Sequence, residues 1–300
     1  MKFFTQPSRV SRILFLGAAA TLASFAQSTH TVYGDQEALG KGYLRTFKHF
    51  GGDGSLISIG VKFDESVLTK LPTEANDGNN CFDLNGDGVI NLHVECMGGH
   101  QRILFLPSDA QEATPFQWVL VNWNTHGHAP PGIYTVPHFD FHFFMQDYIS
   151  RNLIRSGPCS MVINCDDYNK GKVVVPSQFM PPGYSDVDAV EVRMGNHLVD
   201  LSSPEFQPFG DFTQTFIFGA YEGSITFWEP MITKSFFESK PNVCTDIPLP
   251  AAYEVSGLYP TQYCVRYNRE TKMYVVSLEG MQRREGQPNP NAVAKAPAAR

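Results

Sequence analysis

Residues 138–142 read His-Phe-Asp-Phe-His. On an extended strand successive side chains point to opposite faces, so His138, Asp140 and His142 share one face and Phe139, Phe141 and Phe143 the other. Two imidazoles and a carboxylate make a ligand set for zinc, and also for iron or manganese. The ordinary alternative is a solvated strand face, but such a face usually carries Thr, Lys, Glu or Ser. Spacing restricts the chemistry. Side chains at i and i+2 sit roughly 6.6 Å apart and those at i and i+4 roughly 13 Å apart. An adjacent pair can meet one ion, whereas His138 and His142 together need a bend or bulge. Either Asp140 binds with one flanking His, or both His bind and Asp140 orients them. Further ligands must come from elsewhere in the chain.

Two residues are candidates for that role. His197 follows Met194-Gly195-Asn196, a turn that would leave it at a strand end; a loop His without a partner is the equal alternative. Glu229 follows an apolar run and precedes Pro230, which is expected to stop the strand. A carboxylate there is either buried with a partner or at the rim of a cavity. It is the candidate that completes a His-rich site, as a ligand or as a general base. The loop His126-Gly127-His128 leads into the central strand and can return His128 to the site, with His126 expected in solvent.

A second constellation is Asp83-Leu-Asn85-Gly-Asp87-Gly88, oxygen ligands at alternate positions followed by a turn glycine, as in a calcium loop. The twelfth position, where a bidentate Glu is wanted, holds Val94, with Glu95 one place late. No helix is evident before it. The alternative is an Asx-rich turn between disulfide-linked segments.

The elements that must position these residues are mainly strands. Leu56–Phe63, Arg102–Leu106 and Phe116–Trp123 show strand patterns, and 213–228 is a hairpin turning at Tyr221-Glu222-Gly223. Shorter β candidates are 161–164, 173–175, 187–194, 263–267 and 273–278. Short helices are expected after Asp64, stopping before Pro72, and within 145–155. Only 18% of residues are charged, and 25 Gly with 21 Pro suit a turn-rich β protein. The expected fold is a single β-rich domain, barrel- or sandwich-like, over residues 51–280. A patternless arm (27–50) precedes it and a disordered Pro- and Asn-rich tail (281–300) follows it.

Residues 1–26 read as a secretory signal peptide: Lys2, Arg9 and Arg12, a short apolar run from Ile13 to Leu22, then Ser24-Phe25-Ala26. The apolar run is shorter than the ~20 residues of a spanning helix. Removal of this segment makes the formal charge of −7 three units more negative, which argues against nucleic acid or anionic membrane as a partner. A secreted or periplasmic location makes the six cysteines a disulfide framework, most simply 81–96, 159–165 and 244–264, one of 15 connectivities.

The segments GHAPPGIYTVPHFDFHFFM, MGNH and FIFGAYEGSITFWEPMIT together resemble an uncharacterised family typified by a Thermus protein under the control of an extracytoplasmic-function sigma factor. The specific parts are PHFDFHF and EPMIT, and the resemblance covers most of residues 50–280. It implies an exported, mostly β protein, a ring-like homo-oligomer, and a histidine-rich site with a downstream Glu. The matching positions are His128, His138, Asp140, His142, His197 and Glu229. Ala129 stands where the family pattern has an acidic residue, which counts against that loop in the site.

The reading of function is then an exported protein with one divalent transition-metal site, zinc for preference. His138, Asp140, His142, His197 and Glu229 are its ligands, with Glu229 the alternative general base of a hydrolase or lyase acting on a small molecule. One rival is a cupin-like iron oxygenase, for which a His-x-His pair followed closely by Glu is missing. The other is a non-catalytic envelope-stress or binding protein with a structural metal. No Gly-x-Ser-x-Gly, P-loop or dinucleotide fingerprint is present.

Overall fold

A computed structural model describes residues 1–2, 28–91, 95–108 and 114–291. Beyond residue 2 the expected signal peptide lies outside these residues, as do Val94 of the calcium-loop reading and the last part of the expected tail. The strands are β1 His30–Leu39, β2 Gly42–Phe50, β3 Leu56–Asp64, β4 His100–Phe105, β5 Trp118–Asn124 and β6 His138–Phe144. Next come β7 Ser156–Cys159, β8 Tyr184–Glu191, β9 Gly195–Asp200, β10 Gln214–Tyr221 and β11 Ser224–Thr233. The last five are β12 Asn242–Asp246, β13 Gly257–Tyr259, β14 Gln262–Asn268, β15 Met273–Glu279 and β16 Gln282–Arg284. Three short helices accompany them: α1 Tyr148–Asn152, α2 Cys165–Gly171 and α3 Lys234–Glu238.

The strands form two antiparallel sheets that do not close into a barrel. One runs β1-β2-β3-β15-β14-β12, the other β4-β5-β6-β11-β10-β9-β8, and β13 pairs with β16 apart from both. Their facing sides share one core. Phe63 of the first sheet stacks on Phe139 and Phe141 of the second, and on Tyr274 beside it. Aromatic pairs at such separations add roughly 0.5–1.5 kcal/mol each beyond the area they bury. This packing fixes which way β6 faces: with Phe139, Phe141 and Phe143 in the core, alternation turns His138, Asp140 and His142 to the outer side of the sheet.

That outer side is not solvated. His138, Asp140 and His142 are 0%, 3% and 1% exposed, because the segments carrying Met97, His128 and Met161 lie over them. The expected disulfides are all present, Cys81–Cys96, Cys159–Cys165 and Cys244–Cys264. The first two tie down segments that flank this cover.

Several sequence expectations are corrected. The arm at 27–50 contains β1 and β2, the edge of the six-stranded sheet. The helix after Asp64 is a single 3-10 turn, Glu65–Leu68, capped by the Asp64 carboxylate. Residues 161–164 make only isolated bridges, 173–175 are irregular, and α2 lies between them. The tail begins with β16, and Asn289 and Asn291 donate to the carbonyls of Gly223 and Val174. The 213–228 hairpin is as expected, with Glu222 and Gly223 both at positive φ, the conformation of a tight hairpin turn. Pro230, however, does not end β11. It pairs with Phe216, and the strand continues to Thr233.

Candidate metal centre

β6 is regular. It pairs residue for residue with β5, placing Asn124 beside His138, Asn122 beside Asp140 and Leu120 beside His142, with no bulge. On its other flank β11 sets Met231 beside Asp140 and Thr233 beside His138. Glu229, two residues before Met231, therefore reaches the same outer face and meets His142, Oε1 to Nε2 at 3.1 Å. His197 lies within β9, not at a strand end, and pairs with Gly219 of β10. A Cβ at Gly219 would fall 2.0 Å from Cε1 of Phe227. Its absence lets the Phe227 ring lie over the sheet, 5.0 Å from the His142 ring and 5.4 Å from that of His197.

The histidines share one habit. His138 Nδ1 donates to the Val136 carbonyl at 2.7 Å, His197 Nδ1 to Ala189 at 2.9 Å, His128 Nδ1 to Ala129 at 2.7 Å, and His142 Nδ1 more loosely to Leu120 at 3.4 Å. A carbonyl oxygen only accepts, so each Nδ1 carries the hydrogen and each Nε2 is left to face the site. His138 Nε2 lies 3.1 Å from Asp140 Oδ1 and His128 Nε2 3.6 Å from Asp140 Oδ2. A neutral imidazole and a carboxylate would then oppose lone pair to lone pair. A proton or a metal ion between them removes that repulsion; at His138 the Asn124 amide nitrogen also lies 3.3 Å from Nε2.

Without metal, a proton does so at His128 and His142. Burial disfavours the cation at His128, but the hydrogen bond and charge of Asp140 outweigh it and raise the imidazole to about 9. His142 is also raised: burial opposes charge there, and Glu229 overcomes it. Asp140 is likewise penalised by burial, yet the two histidines hold it well below the usual carboxylate range. Asn124 Nδ2 donates to Asp140 Oδ2 at 2.6 Å. Asp140 Oδ1 and Glu229 Oε2 are both buried; the first faces His138 Nε2 at 3.1 Å and the second has no hydrogen-bond partner. Such oxygens are costly unless something else satisfies them, and the nitrogen and oxygen donors around them could hold a metal ion that would do so.

The candidate ligands gather as two triads, His128/His138/Asp140 and His142/His197/Glu229. Within each triad one donor atom per residue lies within 4.8 Å of the others. His138 and His142, placed together in one site from the sequence, fall in different triads because β6 carries no bulge. His128, left out of that ligand set, belongs to the first, with its Nδ1 held by the Ala129 carbonyl. His126 is exposed, as expected. A further group, Cys244/Cys264/Glu279, has its sulfurs locked in a disulfide.

The triads border a cavity of about 280 Å³ whose other walls are largely apolar, among them Met97, Met161, Met194, Met231, Val199 and Ile217. Glu191, at the end of β8, also lines it and was not singled out in the sequence. Burial raises its carboxyl, and the attraction of His197, His128 and His142 does not offset that. Asn122 and Asn124 were missed too, although their alternation within an otherwise apolar strand marks them as sharing a face.

In the Asp83 loop the side chains fold back on the main chain. Asp83 accepts from Gly86 and Gly88, Asn85 from Asp87, and Asp87 from Val89. Glu95 accepts from Leu84 and Asn91. Comparisons with protein-family models, curated proteins and solved structures find no match for the chain.

Proposed function

We propose that this is an exported metalloprotein that binds a divalent transition metal, zinc for preference, and performs hydrolysis or elimination on a small molecule. The observation that carries the reading is the common setting of four imidazoles, each held by a carbonyl at Nδ1, with Nε2 of His128, His138 and His142 lying 3.1–3.6 Å from a buried carboxylate oxygen. The buried Glu229 Oε2, without a hydrogen-bond partner, supports it. So does the adjoining cavity, whose ~280 Å³ lies near the lower end for small-molecule sites. The disulfides and the signal-like N-terminus favour export. The family resemblance favours a ring-like homo-oligomer.

A divalent cation here supplies a Lewis acid and a water made acidic toward neutral pH. Glu229, engaged with His142, is a ligand in this reading. The proton-handling role passes to Glu191, a cavity carboxyl outside both triads whose burial favours its protonated form. The apolar walls hold an apolar portion of the substrate and keep water out.

Elemental analysis of the exported protein, purified without added metal or a His-tag, tests the proposal. Stoichiometric zinc is expected. Stoichiometric iron would keep the site but turn the chemistry oxidative, and calcium alone would move attention to Asp83, Asn85 and Asp87. Absence of zinc even after incubation with it would sink the metal reading.

A further inference from the structure

We infer that the site holds two separate ions, one in each triad. The inference rests on the metal-binding reading above and concerns how its ligands are divided. An unbulged strand keeps residues four apart roughly 13 Å from one another along its length. His138 and His142 stand in that relation on β6, whose register with β5 runs unbroken through both. Their Nε2 atoms point at different carboxylates, Asp140 and Glu229, each at 3.1 Å.

Each triad is complete by itself: two imidazoles, one carboxylate, and donor atoms within 4.8 Å of one another. Each also holds a buried carboxylate oxygen set for a ligand, Asp140 Oδ1 facing His138 Nε2 in the first and the unpartnered Glu229 Oε2 in the second. A single ion would serve one triad and leave the other with its buried carboxylate facing imidazole nitrogen and no ion between them. Three nitrogen and oxygen ligands leave a tetrahedral ion one open position.

The two positions differ in what carries them. His142, His197 and Glu229 come from β6, β9 and β11, all within one sheet. The first triad takes His138 and Asp140 from β6 but His128 from the loop before it, with a side chain 31% exposed. The sheet-borne ion faces the cavity on a rigid frame. The other pins the loop 125–136 to the sheet and closes one side of that cavity.

Zinc titration of the metal-free protein, with free ion removed before elemental analysis, decides the matter. Two zinc per chain are expected for the native protein and one each for His128→Ala and Glu229→Gln, with far-UV circular dichroism unchanged. Cobalt loading gives a second readout: each variant should keep a different part of the native visible spectrum. One zinc in the native chain would overturn the division while leaving metal binding intact, and none would overturn both. Loss of all zinc from His128→Ala, which alters only the loop ligand, would show one cooperative centre and also overturn it. The native stoichiometry stands as a test even if Glu229→Gln does not fold.

Discussion

His128, His138, His142 and His197 divide labour between their ring nitrogens in the same way, and the pairing of His128 with Asp140 makes the metal-free protein sensitive to pH. An imidazole whose pKa is raised on folding stabilises the fold fully below its unfolded value, and the contribution is lost as pH rises through the folded value. For His128 that window runs from the ordinary 6.5 to about 9. Asp140 has the opposite sign: its depressed carboxyl stabilises above 3.8, and the contribution fades as pH falls through the lowered value. Calorimetry in chelator should therefore show the melting temperature falling from pH 6.5 to 9, and falling less in His128→Ala. Saturating zinc should flatten the native curve, because the ion replaces the proton between Nε2 and the carboxylate. An identical decline in both proteins would remove the His128–Asp140 pair from the account.

Among the elements, β6 was the most legible, because its two faces differ in chemistry: aromatic rings on one, imidazole and carboxylate on the other. The 213–228 hairpin was legible for a related reason, since its turn needs a positive φ that Gly223 adopts freely. β1 was not. It is an edge strand with mostly exposed residues, so no periodic apolar signal marks it. Pro230 misled because a proline usually bars a central strand, yet here the ladder continues on both sides of it. His128 was underweighted because its contribution depends on the return of a loop, which no local pattern encodes. Gly219 shows how far a strand reaches into the site. In Gly219→Ala the new methyl would collide with the Phe227 ring. Overpacking of this kind typically costs about 1–3 kcal/mol. The displaced ring should disturb His142 and His197, so urea denaturation should show the loss and zinc at the second triad should weaken. Native stability and native zinc affinity in the variant would show that the ring yields elsewhere.

At the scale of the molecule, the seven-stranded sheet is buried on both sides, by the second sheet on one and by loops and short helices on the other. The disulfides Cys81–Cys96 and Cys159–Cys165 lie in that second covering layer, which has little regular structure of its own. An ion bound only by the folded chain stabilises it by mass action, about 2.7 kcal/mol at a hundred times its dissociation constant. Zinc should therefore raise the melting temperature and chelator should reverse the rise; a melting temperature indifferent to zinc would argue against binding. Among the described residues no helix is long and apolar enough to cross a membrane. Five of the six triad side chains sit on hydrogen-bonded strands, and His128 alone sits on a loop. The time course of metal capture follows from this: no chain segment has to fold around the ion in the sheet-borne triad, so the speed of loading is set by passage into the cavity. The slower event is the settling of residues 125–136, and it is there that the loaded and unloaded proteins should differ in amide exchange.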